Sequence, residues 1–512
     1  MRRHLLVAAA LAATLATFPR HARAQVSLEP DDNRFGTVRA DGARISPSHW
    51  WNPYGPNVLK GDVPFAGKNN YVVFTGILDN QYDDTGAAKS GTRAAQTAAN
   101  TMLLSLEYFN GETVFRAKNI SFRGTLVAKT AQALANETGA NRKDVYSVGE
   151  SFMEVLLANH SHDLYDTSSA RFGAQAVNFD VEGLVLNDVV LGAREFSLLR
   201  GNRYILNFLY ERPLRKQNGL VVVDQSKDLT LEADVAAANL FVGDFLVPGF
   251  NLIAVAAYDD DRRNPASRLR VGYGALASNG HIGRFVTAPA VYLAWGDADH
   301  DDTAAGVSHG SRVLAPMAVL DIARPTNAWN PRFTALWAPG DKNVFDKNQN
   351  SYDAIADKVA FAGGAGAGIF AGTGINVKDE NGNTVTLFHK GSVIPSLRGV
   401  DQRPNFIGPG ILLADIGTDL AISPRWTTAF DVTAFNWDQP KALQELLFPS
   451  GGQIHSYAGS EAIAQIKFKP FLNEQALVTV SGAALFPGKG LQDLGSGSAT
   501  QLKGDARILL AF

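Results

Sequence analysis

The sequence predicts an all-β chain folded as a transmembrane antiparallel β-barrel. Three features carry that prediction: an export signal at the start, recurring runs that alternate polar and apolar residues, and connections that alternate short and long when read back from Phe512.

The export signal comes first. Arg2, Arg3 and His4 form a basic start, residues 5–18 are an apolar run, and Ala22-Arg23-Ala24 is a small-x-small cleavage box before Gln25. A helix needs about 20 apolar residues to span a bilayer, so this run is a secretory signal (residues 1–24) rather than an anchor. Residues 25–68 are rich in Gly, Pro, Asp and Asn and read as a periplasmic extension or a small plug. The barrel is expected over residues 69–512.

Composition excludes several classes. The 512 residues contain no cysteine, which removes disulfides, thiolate metal sites and Cys nucleophiles. A net charge of -3 from 47 basic and 50 acidic residues gives no electrostatic reason to bind nucleic acid. After the signal no segment approaches 18 uninterrupted apolar residues, so a helical membrane protein is excluded. Glycine is abundant, at 48 residues, and aromatics make up 10%. Both figures suit a β chain with one polar and one apolar face.

Runs of about 9 to 12 residues with period-2 character recur beyond the extension, the length a tilted strand needs to cross a bilayer. Residues 174–182 place Asn178, Asp180 and Glu182 opposite Val177, Phe179 and Val181. Residues 229–235 place Thr230, Glu232 and Asp234 opposite Leu231, Ala233 and Val235. Residues 411–422 put Asp415, Gly417 and Asp419 on one face, and residues 463–468 put Gln465 and Lys467 opposite Ile466 and Phe468. Helices do not produce this alternation.

The last third shows the connection pattern. A strand at 507–512 follows a Gly/Ser-rich loop, 488–504. Upstream come a strand at 476–486, a short turn at 470–475, a strand at 463–468 and a long loop at 438–461. A strand at 427–437, a tight turn at Ser423-Pro424-Arg425 and a strand at 411–422 precede these. The long loop 372–410 and a strand at 358–370 complete the series. Outer-membrane barrels keep short turns at one end and long loops at the other; a soluble sandwich has no reason to. Trp426, Phe435, Trp437, Phe468, Phe471 and Phe486 sit near strand ends, where interfacial girdles lie. Gly363 to Gly368 lacks the Lys-Ser/Thr of a nucleotide loop and reads as small residues in a crowded interior. The chain length gives about 16 strands, within a range of roughly 14 to 18.

These features resemble Gram-negative outer-membrane β-barrel proteins, porin-like or of an uncharacterised proteobacterial group. The ending Ala484-Leu485-Phe486-Pro487-Gly488-Lys489-Gly490 is also weakly similar to polysaccharide-export barrels. The resemblance implies that Ile508, Leu510 and Phe512 form the signal read by the barrel-assembly machinery. It further implies contact with outer-membrane lipid and lipopolysaccharide, and allows a homo-oligomer or a surface protein partner.

For function the sequence predicts a channel for passive or facilitated passage of small or oligomeric solutes. Asp180, Glu182, Glu232, Asp234, Asp415, Asp419, Lys467 and Arg507 are the expected lumen-lining residues. Acidic runs stand at Asp79/Asp83/Asp84, Asp259-Asp260-Asp261 and Asp297 to Asp302; the last two are expected in loops. In the last, Asp297, Asp299, Asp301 and Asp302 offer calcium ligands, although the spacing is not that of an EF-hand. No other cofactor is expected. Three other readings stay open: a non-conducting barrel that anchors or sheathes a surface or electron-transfer partner, an outer-membrane hydrolase built on His160, Ser161 and His162, and a soluble secreted β protein. The chain is not expected to be an enzyme.

Overall fold

The computed structural model describes residues 59–511 apart from 63–68, 86–94, 112–117, 136–141, 162–165, 181, 202, 218–219, 222–227, 265–266, 303–306, 327, 358–367, 371–374, 390, 398–405 and 472–475. The expected signal, most of the expected extension, Ser161's side chain, His162 and Phe512 lie outside the described residues.

The chain forms an 18-strand closed antiparallel β-barrel. Its first strands are β1 (Asn70–Thr85), β2 (Ala95–Asn110), β3 (Ile120–Ala135) and β4, in two pieces (Arg142–Val148 and Ser151–Ser161) that both pair with β3. Then come β5 (Asp166–Asn178), β6 (Asn187–Leu199), β7 (Tyr204–Pro213), β8 (Ala233–Val242) and β9 (Phe250–Asn264). The longest strands follow: β10 (Ser267–Ile282), β11 (Phe285–Asp302) and β12 (Val307–Ala323). The last are β13 (Trp329–Ala338), β14 (Ile411–Ser423), β15 (Trp426–Trp437), β16 (Tyr457–Phe468), β17 (Ala476–Pro487) and β18 (Gln501–Ala511).

Closure is by β18 on β1, from Lys503 opposite Thr85 to Ala511 opposite Ile77. The seam does not stop there. A short strand, Leu59–Asp62, pairs antiparallel with residues Tyr71 to Phe74 of β1, so the end of the expected extension joins the barrel wall. It covers part of an edge that β18 is too short to reach, and an uncovered edge presents unpaired backbone donors and acceptors.

Burial alternates along the strands as a membrane barrel requires. In β14, Leu412 and Ile416 are 49% and 68% exposed while Leu413 and Asp415 are buried. Outward Leu126, Leu276, Val291, Leu314, Val432 and Val480 continue that apolar belt. Exposed aromatics flank it: Phe285, Trp329, Trp426 and Phe471 toward the short turns, and Tyr146, Tyr258, Trp295 and Phe486 toward the long loops. Phe435 and Trp437 do not belong to the girdle. Both are buried and face inward against the folded loop described below.

The strand count exceeds the expected 16 because β9 to β12 are long and closely connected. Their expected loop aspartates are in strand: Asp259–Asp261 lie within β9 and Asp297–Asp302 within β11. Connections of two to four residues, 265–266, 283–284 and 303–306, join these strands. The residues 358–370 are not a wall strand, since Phe370 is buried in the lumen. With β1 and β18 starting and ending at the short-turn end, the long connections 339–410, 438–456 and 488–500 all emerge at the opposite end, as the parity reading expects.

Candidate functional site

The interior divides into two unlike arcs. Strands β8 to β12 turn small and apolar side chains inward, including Val235, Ala237, Val255, Ala257, Val271, Ala290, Ala294, Ala315 and Val319, all buried. An aqueous lumen has no use for such a wall. Here it is covered by chain: residues 339–410, between β13 and β14, fold back into the barrel. Tyr273 and Tyr292 on the wall meet Tyr352 edge-on, at ring separations of 6.4 and 6.1 Å. Phe406 packs on Tyr273 at 6.5 Å. Alanine on the wall leaves the depth this insert occupies.

The insert closes on itself at a neck. The Asp341 N–H donates to the Gly408 carbonyl at 2.9 Å, and the Gly340 N–H donates to Asp438 at 2.9 Å. Gly410 has φ +60°, and a Cβ there would lie 2.2 Å from the Gly340 nitrogen, so only glycine fits. Burial pushes the Asp341 carboxyl up to about 7, against the Asn343 N–H that partly offsets it. Deeper in, Phe370 stacks on Phe435 with centroids 3.9 Å apart and planes 7° off parallel, and Phe388 packs on both Phe370 and Trp437. Glu461 on β16 accepts the Ile369 and Phe370 N–H groups. The hairpin Ile375–Lys378 and Thr384–Phe388 is tied through Glu380 N–H to Leu447 of helix α1 (Pro440–Leu447).

A second, shorter insert supports the first. Residues 179–186 leave the wall after β5 and turn inward. Asp180 accepts the Leu184 and Val185 N–H groups at 3.0 and 2.7 Å, and Tyr292 donates to it at 3.3 Å. Burial raises the Asp180 carboxyl above the usual carboxylate range, with those donors opposing. The Tyr352 hydroxyl donates to the Leu184 carbonyl at 3.0 Å, and Leu186 bridges Ala356.

The remaining arc, from β13 through β18 and on to β6, is polar and charged. Arg123 donates to Glu107 at 2.5 Å and pairs with Glu150 at 3.2 Å. Arg171 pairs with Glu154 at 2.6 Å and lies 4.2 Å over the Phe152 ring. Buried Arg194 donates to Asn207 at 2.7 Å. Arg507 holds Asp79 through two bonds of 2.7 and 2.8 Å, and Gln81 donates to Asp505 at 2.8 Å. Arg332 bridges Asp419 and Asp431, and Thr433 donates to Asp415 at 2.6 Å. Solvent reaches this arc: the Arg507, Asp79, Asp83 and Glu150 side chains are 43%, 21%, 22% and 20% exposed.

Most of the expected lumen residues stand inside, but not all as expected. Asp415, Asp419, Lys467 and Arg507 share the inward face of their strands. Asp180 and Glu182 are also interior and buried, yet on the 179–186 insert, because β5 ends at Asn178. Glu232 and Asp234 are corrections. Glu232 is exposed and precedes β8, while Asp234 faces outward, holding Tyr210 and Arg212 at 2.8 Å. The usual polar-in, apolar-out rule is inverted here, because the inner wall is buried under the insert and the outer face has passed the apolar belt.

The calcium reading fares no better. Asp297 and Asp299 stand on the exposed outer face of a strand instead of converging in a loop, and the Asp301 and Asp302 side chains lie outside the described residues. Among the described residues, no group of three or more His, Asp and Glu side chains is placed to hold a metal. His160 lies 2.7 Å from Ser168, and hydroxyl contacts continue through Ser197 to Glu195. That relay is on the outer face by the short turns, and its carboxylate meets a second serine rather than the imidazole, so it is not a hydrolytic triad.

Sequence reasoning missed Arg123, Arg171, Arg332, Asp431 and Glu461. Asp431 was accessible to it: Thr427 to Trp437 alternates as clearly as β14 does.

No family model and no curated protein matches the chain. Solved structures do. The chain is similar to Pseudomonas aeruginosa OccK9 (OpdG), with a TM-score of 0.51 and 12% identity over 86% of this chain and 98% of that one. A BenF-like porin from Pseudomonas fluorescens Pf-5 gives a TM-score of 0.49 at 9% identity, covering 86% and 98%. P. aeruginosa OccK2 (OpdF) gives 0.48 at 9% identity, covering 86% and 97%. The likeness is one of fold. It places the chain among Gram-negative outer-membrane barrels in architecture.

Proposed function

We propose that this barrel is an outer-membrane channel for passive passage of small or oligomeric polar solutes, its passage running along the charged arc beside the folded insert. The observation that carries the reading is the division of the interior. Apolar wall and apolar insert seal one another, whereas the facing arc keeps partly solvated carboxylates and guanidinium groups. Fixed charges of both signs in a narrow passage set up the field that gives weak solute selectivity. The chemistry is that of a conduit, with no nucleophile–base pair in the arc for catalysis. The solute class that fits carries charge or many hydroxyls, since Arg123, Arg171 and their carboxylate partners offer both donors and acceptors.

The assembly role of Ile508, Leu510 and Phe512 belongs to the same reading. Ile508 and Leu510 stand exposed on the outer face of β18, the strand that closes the barrel.

Single-channel recording of the detergent-folded, heat-modifiable protein in a planar bilayer tests the function. Stable conductance steps are expected. A correctly folded barrel that remains silent at every voltage overturns the channel reading and favours a barrel that anchors a partner.

A further inference from the structure

The outer surface of β7 to β12 is ordered in a way that passage does not require. Cross-strand register places Arg212, Asp234, Asp260, Arg270, Asp297 and Arg312 in one row along the hydrogen-bonding direction. The next row toward the short turns reads Tyr210, Ala236, Tyr258, Gly272, Trp295. The row after that reads Phe208, Ala238, Ala256, Gly274. All three rows face outward, away from the lumen.

Large and small residues therefore alternate around the barrel at one level, and the level beneath is small. The result is a recess of about 610 Å³ in the membrane face, floored by Ala236, Ala238 and Ala256 and walled by Phe208, Tyr210 and Tyr258. Its size falls within the roughly 300–1,000 Å³ of ordinary ligand sites. Trp295 lies flat over Gly272, where a Cβ would sit 2.7 Å from its ring. The recess is thus built by the sequence and not by a missing side chain at one point.

Directly above it stand the guanidinium groups of Arg212, Arg262, Arg268 and Arg270, each 41% to 54% exposed. Asp234 holds Arg212 at 2.8 Å and also Arg262, while Asp260 holds Arg268 at 2.6 Å. The carboxylates keep the arginines extended along the rim and leave donor edges free toward the membrane surface. Exposed pairs of this kind contribute little to stability, so their row has another use.

We infer that this recess docks one outer-leaflet lipid of phosphorylated, multiply acylated glycolipid type, an acyl chain lying over Ala236, Ala238 and Ala256 and a phosphate held by the arginine row. Charge complementarity selects the occupant. A neutral acyl chain alone leaves the arginines unused, and a second copy of the chain would set one arginine row against another. Guanidinium groups bind phosphate oxygens bidentately, and their salt dependence is a measurable signature. The inference rests on the membrane placement of the barrel and is separable from conduction, because none of these residues lines the charged arc.

Native mass spectrometry of the full folded barrel, released from mild detergent with added bisphosphorylated lipid A or its dephosphorylated form, tests it. One bisphosphorylated lipid is expected to stay bound, with at least ten-fold lower retention of the dephosphorylated form. The double substitution Arg212→Gln, Arg262→Gln should remove that preference. Filling the recess, by Ala238→Leu with Ala256→Leu, should lower retention of both lipids about ten-fold. Conductance and heat-modifiability should be unchanged in both variants, which shows that neither result comes from misfolding. Equal retention by wild type and both variants would overturn the proposal in favour of a non-specific lipid annulus. A lipid-free dimer that the recess-filling variant abolishes would overturn it in favour of a second copy.

Discussion

Replacing Arg332 by methionine is expected to destabilise the barrel by about 3–5 kcal/mol, because it leaves two carboxylates without their shared cation. Arg332 on β13 reaches Asp419 on β14 and Asp431 on β15, and the Arg332 and Asp431 side chains are 3% and 0% exposed. The reach depends on Gly417. Register places Arg332, Gly417 and Asp431 side by side on three strands. A Cβ on Gly417 would lie 2.0 Å from the Asp431 carboxylate and 2.8 Å from the guanidinium. Gly417→Ala should therefore also destabilise, by forcing the pair apart without removing a charge. Urea unfolding of detergent-folded protein checks both. Adding Asp431→Asn to Arg332→Met should recover part of the loss, since a neutral amide costs less to bury than an unpaired carboxylate. A wild-type midpoint for Arg332→Met would show that water, not Arg332, solvates those acids.

Excising residues 342–407 and joining the ends with a short Gly/Ser linker should raise single-channel conductance several-fold. The neck makes the excision feasible, since Gly340 and Gly410 are already in contact. What remains is a barrel whose β8 to β12 wall is bare of Tyr352, Phe406 and Phe370. Conductance follows the cross-section open to water, and the insert occupies much of it. The apolar wall then faces water, so the excised barrel should also be less stable. Unchanged conductance in a heat-modifiable excised barrel would mean that the insert does not narrow the passage.

The barrel was legible because membrane strands must alternate, and because the short-turn and long-loop ends are unequal. β14 to β18 were read nearly residue by residue from those two facts. The failures share one physical cause. Periodicity says which residues share a face but not what that face meets, and here the insert turns half of the inner wall into a core. Asp234 alternates correctly with Val235 and was nonetheless placed on the wrong side. Phe435 and Trp437 looked like girdle residues and are core partners of Phe370 and Phe388. Asp180 and Glu182 continue the pattern of β5 past its end, because Asp180 caps the following backbone instead of extending the strand. Asp297 and Asp299 resembled a loop cluster only because acidic runs in mid-strand are unusual; at an outward rim they are solvated or paired, as Asp299 is with Arg270.

The candidate site was only partly legible. Asp415, Asp419, Lys467 and Arg507 were found because strand parity sufficed. Arg123, Arg171 and Arg332 were not, since their importance comes from partners 16 to 99 residues away that only closure of the sheet brings near.

The central claim is that water and solute pass along the charged arc and not along the apolar wall. A chain without cysteine allows a direct test: single-cysteine variants Thr101→Cys, on the inward face of β2 in the arc, and Ala290→Cys, buried on β11 under the insert. Single-channel current is recorded before and after a positively charged thiol reagent. The account expects a stepwise fall in current for Thr101→Cys and none for Ala290→Cys. Block at Ala290→Cys with none at Thr101→Cys would contradict it.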